Sequence, residues 1–141
     1  MNERERATWV ALKYHGTPYR WGGDDPDGFD CSGYVIEALQ SVGRFPEGMD
    51  TTAHGLFRRY PSTQFPRTGC LVFYGSAAHI THVAWCLDKN LAIGANGGGS
   101  FVRSHADAMT HNAFIKIRPI YYRADVVGFA DPFSDPEEPT V

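Results

Sequence analysis

The chain changes texture once, at Pro66. Upstream of it, apolar residues recur at helical spacing and are separated by loops dense in Gly, Pro and Asp; downstream, short β-branched and aromatic runs alternate with turn residues. Helices first and strands second predict an α+β fold, with N-terminal helices packed on one side of a central antiparallel β-sheet. The 141 residues suit one domain with a real core. That domain is expected over residues 1–130, and the acidic stretch DPFSDPEEPTV, 131–141, reads as a loose tail.

The elements follow from local signals. Residues 3–14 carry Ala7, Val10, Ala11 and Tyr14 on one helical face. GTPYRWGGDDPDGF, 16–29, is too rich in Gly, Pro and Asp for an element and reads as a structured loop. A helix is predicted from Cys31 to Val42, with Asp30 as N-cap and Gly43 as its stop. A second short helix is expected over 50–60, capped by Asp50 or Thr51, and a helical turn over 104–109, capped by Ser104. Strands are predicted at 70–74, 80–87 and 91–96, the last two joined by an Asp88-Lys89-Asn90 turn, then in 112–120 and 125–130.

Composition excludes several partners. A net charge of −3 gives no electrostatic ground for nucleic acid or an anionic membrane surface. No run approaches the roughly 18 apolar residues of a membrane span. The opening MNERERATWVALKYHG is charged at once and has no apolar signal core, so the expectation is synthesis in the cytoplasm without a secretion signal. Three cysteines at irregular spacing argue against a disulfide framework and for a reduced or reactive thiol.

Cys31 is the thiol of interest. A random cysteine is more often a small buried packing residue. This one follows a Gly-rich loop and stands at a helix N-terminus, where free N–H groups and the positive dipole end favour a thiolate. Asp30 opposes that effect unless its carboxylate turns away to cap the helix or to meet a cation. Gly33, a poor helix former, makes sense if something must approach the backbone closely.

A thiol nucleophile needs a base, and His82 is chosen among six histidines because the strand ITHVAW can hold its ring rigidly. The hairpin turn sets Leu87 against Leu91 and therefore His82 against Asn96, whose amide oxygen could fix the imidazole tautomer. A register shifted by two would put Gly94 there instead. His79 and His82 form an H-x-x-H pair, but three residues on a strand send side chains to opposite faces, so no metal is expected. Cys70 and Cys86 read as core.

These residues carry a resemblance. GTPYRWGGDDPDGFDCSGYV resembles the PY-x-WGG…DCSG signature of the NlpC-type cell-wall cysteine peptidases, a papain-like family. PRTGCLVFYGS resembles that family's G-D-L-V-F strand, and ITHVAWCLDKNLAIGANGGG its H-V-G-I-Y hairpin; the likeness covers about residues 8–100. It implies Cys31 as nucleophile, His82 as base and Tyr19 as the hydroxyl near the oxyanion. Asp30 and Ser32 are implied to meet a substrate's free amine. Trp21 either walls the peptide or simply packs.

Two positions depart from the family pattern. Its usual third polar residue falls on Gly94, leaving Asn96, a water or a main-chain carbonyl to orient His82. Cys70 stands where an aspartate is common. The segments ANGGGS and KIRPIYYRADVVGFADP resemble phage and prophage members, so the implied partners are a peptidoglycan peptide and phage tail proteins, with no cofactor. The implied activity is peptidoglycan stem-peptide hydrolysis, of the D-γ-glutamyl–meso-diaminopimelate type, reached by a virion or lysis route. A non-catalytic tail or wall-binding module of the same fold, or a cysteine amidase or acyltransferase, are the alternatives.

Overall fold

Asn2 starts the first helix: its side-chain oxygen accepts the Glu5 N–H at 2.8 Å. This computed structural model describes residues 1–20, 24–25, 28–96 and 103–134. Helix α1 spans Glu3–Lys13 and buries Ala7, Thr8 and Ala11, with Val10 and Tyr14 only half-buried. Thr8 is tolerated inside because its hydroxyl accepts the Trp85 indole N–H at 3.0 Å and donates to the Arg4 carbonyl at 2.8 Å. Helix α2, Cys31–Gln40, packs against α1 through Tyr34, whose hydroxyl donates to the Ala11 carbonyl at 2.5 Å.

α2 ends two residues before the expected Val42. The Ser41 hydroxyl turns back onto the Ala38 carbonyl at 2.6 Å, and Gly43 takes φ +76°. Helix α3, Ala53–Arg59, is capped by Thr52, one residue beyond the expected Asp50 or Thr51. Thr52 Oγ1 accepts the Gly55 N–H at 3.1 Å, while Asp50 folds onto the adjacent Thr51 N–H. Helix α4, His105–His111, is capped by Ser104 as expected and extends past the predicted turn.

A small antiparallel pair, β1 (Asp24–Asp25) with β2 (Gly28–Phe29), lies within the stretch read as a loop. The main sheet contains β3 (Ser62–Thr63), β4 (Leu71–Ser76), β5 (His79–Cys86), β6 (Leu91–Asn96), β7 (Phe114–Pro119) and β8 (Val126–Ala130). Its order is β3-β8-β4-β5-β6-β7, antiparallel throughout. With α1 to α3 preceding this sheet, the α+β expectation is met. Leu71, Phe73, Val83, Trp85, Ile93 and Ile115 face the helices, burying one layer of core. Alternate residues, among them Val72, Tyr74, Ala84 and Cys86, build a smaller cluster on the other face, under Ile120 and Phe129.

The β5–β6 hairpin has the expected register. Asp88 Oδ1 accepts the N–H groups of Asn90 and Leu91, both at 2.7 Å, and Trp85 pairs with Ile93, Cys86 with Ala92. The pairing is recorded only at those two positions, whereas β6 remains paired with β7 out to Asn96 opposite Phe114. Beyond Trp85 no ladder bridge joins β6 to β5, although Gly94 still lies against Ala84, and the ladder of β6 continues with β7.

The packed body runs past residue 130, a correction to the expected tail. Asp131 and Phe133 are buried; Arg4 and Arg67 donate to Asp131 Oδ2 at 3.0 and 3.1 Å, and Phe133 packs edge-on against Trp85. Residues 135–141 lie outside the described residues. Among the described residues, no helix is long and apolar enough to cross a membrane.

Candidate active site

Cys31 is the first residue of α2, and Asp30 caps it through Oδ1, which accepts the Gly33 N–H at 2.7 Å. The same oxygen receives the Ser32 hydroxyl at 3.4 Å, so Ser32 is turned toward the cap. Cys31 is half-buried. Burial pushes its thiol up to about 11; the backbone N–H groups of Val83, Ser32 and Cys31 pull it down, and the Asp30 charge raises it. The mouth of α2 therefore meets β5 at the residue next to His82.

His82 is the one buried histidine of the six, 8% exposed. Burial holds its imidazole down at about 4; Arg123 lowers it further and Asp125 opposes. Thiol and imidazole are thus both neutral near pH 7, and no hydrogen bond links them in the resting molecule. His82 pairs with Tyr74 across β4–β5, and their rings lie 5.4 Å apart. Its Nε2 is buried without a hydrogen-bond partner. His79, by contrast, is exposed, and among the described residues no three His, Cys, Asp or Glu side chains gather as a metal ion requires.

Asn96 is buried on β6, and its Nδ2 donates to the Tyr122 hydroxyl at 2.7 Å; no hydrogen bond joins it to His82. Tyr19 is buried where segment 16–20 crosses β7, held by its N–H on the Ala113 carbonyl at 2.8 Å. Burial, then the charges of Cys31 and Asp30, keep its hydroxyl protonated and place it in the electrostatic reach of the thiol. From Tyr19 a cleft of about 490 Å³ opens between Pro18 and Arg20 on one side and Arg103, Ser104 and His105 on the other. Trp21 lies outside the described residues. Cys70 and Cys86 are fully buried on the face away from the helices.

Sequence reasoning passed over the groups around His82: Tyr74, Tyr122 and the Arg123–Asp125 ion pair at 2.6 Å. The only local signal was the polar and aromatic run YYRAD, whose place beside β5 depends on β8 returning to pair with β4.

A capped thiol at a helix mouth and a buried imidazole on the strand it packs toward are the residue types that a cysteine-nucleophile hydrolase uses. The chain belongs to the NlpC/P60 family, whose model matches residues 16–119. It is similar to Protein P54 of Enterococcus faecium, 39% identical over 95 residues, covering 67% of this chain and 16% of that protein. It is also similar to the bifunctional muramidase/DL-endopeptidase CwlT of Bacillus subtilis strain 168, 36% identical over 93 residues, 63% of this chain and 28% of that one. The chain thus spans less than a third of either relative. The NlpC/p60 domain of the peptidoglycan hydrolase SagA superposes with a TM-score of 0.67 at 27% identity, covering 93% of this chain and 98% of that one. NlpC1 of Trichomonas vaginalis shares the fold, with a TM-score of 0.75 at 20% identity over 95% of this chain and 45% of that one.

Proposed function

We propose that the chain is a cysteine endopeptidase that hydrolyses amide bonds in peptidoglycan stem peptides, with the D-γ-glutamyl–meso-diaminopimelate link as substrate. The observation that carries this reading is a half-buried thiol at the capped mouth of α2, packed against the core that β5 lines, with the buried His82 on that same strand. Membership of the NlpC/P60 family supports it, as do relatives named endopeptidases.

The proton rests on sulfur until substrate arrives. As Cys31 Sγ bonds to the amide carbon, His82 takes the thiol proton, and the oxygen becomes an oxyanion facing the N–H groups at the start of α2 and the Tyr19 hydroxyl. His82 then protonates the leaving amine as the C–N bond breaks, giving a thioester. Water, deprotonated by His82, hydrolyses the thioester and restores the thiol. Asp30 and Ser32 take the substrate's free amine in this reading, and Asn96 orients His82. Trp21 remains a candidate wall of the groove. The cleft beside Tyr19, with Arg20 and Arg103 at its margin, suits a peptide bearing carboxylates.

The phage-borne context, with tail proteins as partners and delivery to the wall by a virion or lysis route, rests on the resemblance of ANGGGS and KIRPIYYRADVVGFADP to such members. The unpartnered Nε2 and the glycine at position 94 favour a second reading, a wall-binding module without turnover. Mass spectrometry of digests of defined muropeptides separates the two. Cleavage at the diaminopimelate link, lost by about 1,000-fold or more in Cys31→Ala, supports the peptidase. Equal rates in parent and variant would rule out the thiol mechanism, binding without products supports the module, and products from another bond point to an amidase or acyltransferase.

A further inference from the structure

Two thiols stand outside the mechanism. Cys70 and Cys86 are free, fully buried, and part of the smaller cluster on the sheet face away from α1 to α3. They oppose each other where β5 ends beside the start of β4. One step along, Leu71 pairs with Trp85. At the next position the Cys86 N–H donates to the Cys70 carbonyl at 2.8 Å, and the Cys86 carbonyl accepts the Gly69 N–H at 2.9 Å. Gly69 has φ +88°, so Gly69 and Cys70 form a glycine bulge that faces the single residue Cys86.

The two side chains share one face and one row of the sheet. Opposed residues at a hydrogen-bonded position have Cα atoms about 5.5 Å apart, inside the range of about 4.4–6.8 Å that a disulfide spans. The thiols also feel each other: burial raises Cys86 first, and a charge on Cys70 raises it further. Opposed Cβ atoms stand about 4.5–5.5 Å apart and must close to about 3.5–4.5 Å for the bond, a movement of about 1 Å. A bond that strains its strands is readily reduced, and so follows the thiol poise around it.

We infer that Cys70 and Cys86 are a dithiol site, oxidised by a small-molecule disulfide to a cross-strand disulfide that leaves Cys31 unpaired. One protein thiolate attacks the small disulfide, forms a mixed disulfide and expels one small thiol. The second thiolate attacks the protein sulfur of that mixed disulfide and expels the other. Two protein thiols and one small disulfide thus give one protein disulfide and two small thiols, which carry off the two protons. Both sulfurs are closed over in the packed sheet, so the exchange belongs to folding, while β4 and β5 are pairing. In reducing surroundings the thiols stay apart, and in oxidising ones the bond clips β4 to the strand that carries His82. The odd cysteine count then resolves into a pair and a remainder. The site stands whether or not the chain cleaves peptidoglycan.

The test is refolding of the full chain from urea in glutathione buffers, with free thiols then blocked by iodoacetamide in denaturant and the digest mapped by mass. With oxidised glutathione in excess, at least about half of the chains are expected to carry the Cys70–Cys86 link, with Cys31 free or capped by glutathione. With reduced glutathione in excess, all three thiols should be alkylated. Cys31→Ala, which leaves only these two thiols, is expected to give the same link. Alkylation of both Cys70 and Cys86 after oxidising refolding overturns the inference. So does glutathione held on each without a link, or a link in the parent that joins Cys31 to either of them.

Discussion

At Trp85 and Cys86, β5 is bridged to β6 and closed over by core on both faces; at His82 and Val83 no ladder bridge to β6 remains, and the mouth of α2, with Cys31, packs on the core that this strand lines. The two ends are three residues apart on one strand. The closed end contributes cohesion. The open end gives up ladder hydrogen bonds, and with them some stability, to present an N–H and an imidazole to α2. A sheet can thus present a polar group from its interior by ending one ladder early beside a helix mouth.

The closed end is the place to break this contrast with the largest effect. Trp85→Ala removes a fully buried ring and the indole hydrogen bond to Thr8, and is expected to cost about 4 kcal/mol by urea unfolding. A loss under 1 kcal/mol would mean that this end is not the anchor. The open end should instead announce itself through acid. His82 stays neutral when folded down to about 4, whereas the unfolded chain takes the proton near the ordinary 6.5. Its folded value is depressed, so its contribution is fully present above pH 6.5 and is lost as pH falls toward 4, by about 3 kcal/mol. Unfolding curves of parent and His82→Asn between pH 7 and 4 check this, since the variant should lose less stability over that window. The smallest effect expected is in alkylation. Cys31 should react with iodoacetamide at least about tenfold faster than Cys70 or Cys86, at a rate that climbs with pH toward about 11. Peptide mapping of the labelled chain reads all three thiols at once, and equal rates would remove the distinction between the two ends.

What the sequence disclosed was whatever short-range chemistry controls. Asp30 as N-cap, the Asp88 turn and the β5–β6 register at Trp85 and Cys86 are set within a few residues, so they could be read without a structure. The early end of the β5–β6 ladder could not, because the far half of β6 pairs with β7, which lies far away in sequence. Likewise Tyr122 and the Arg123–Asp125 pair lie forty or more residues from His82 in sequence, and the β8–β4 pairing brings them near. Thr52 outcompeted Asp50 as a cap by a choice between neighbouring side chains that propensity does not resolve. Residues 131–134 looked acidic and loose, yet two arginines distant in sequence neutralise Asp131 and let Phe133 pack.

Residue 83 divides its duties between atoms. Its isopropyl group is locked among core side chains, while its amide hydrogen faces the reactive sulfur. Exchange for isoleucine or another residue of similar bulk would alter the interior and leave the donor in place; only proline, which has no amide hydrogen, deletes it. The surroundings of Cys31 can therefore tolerate drift in the side chains that wall them, because the donor at residue 83 belongs to the main chain.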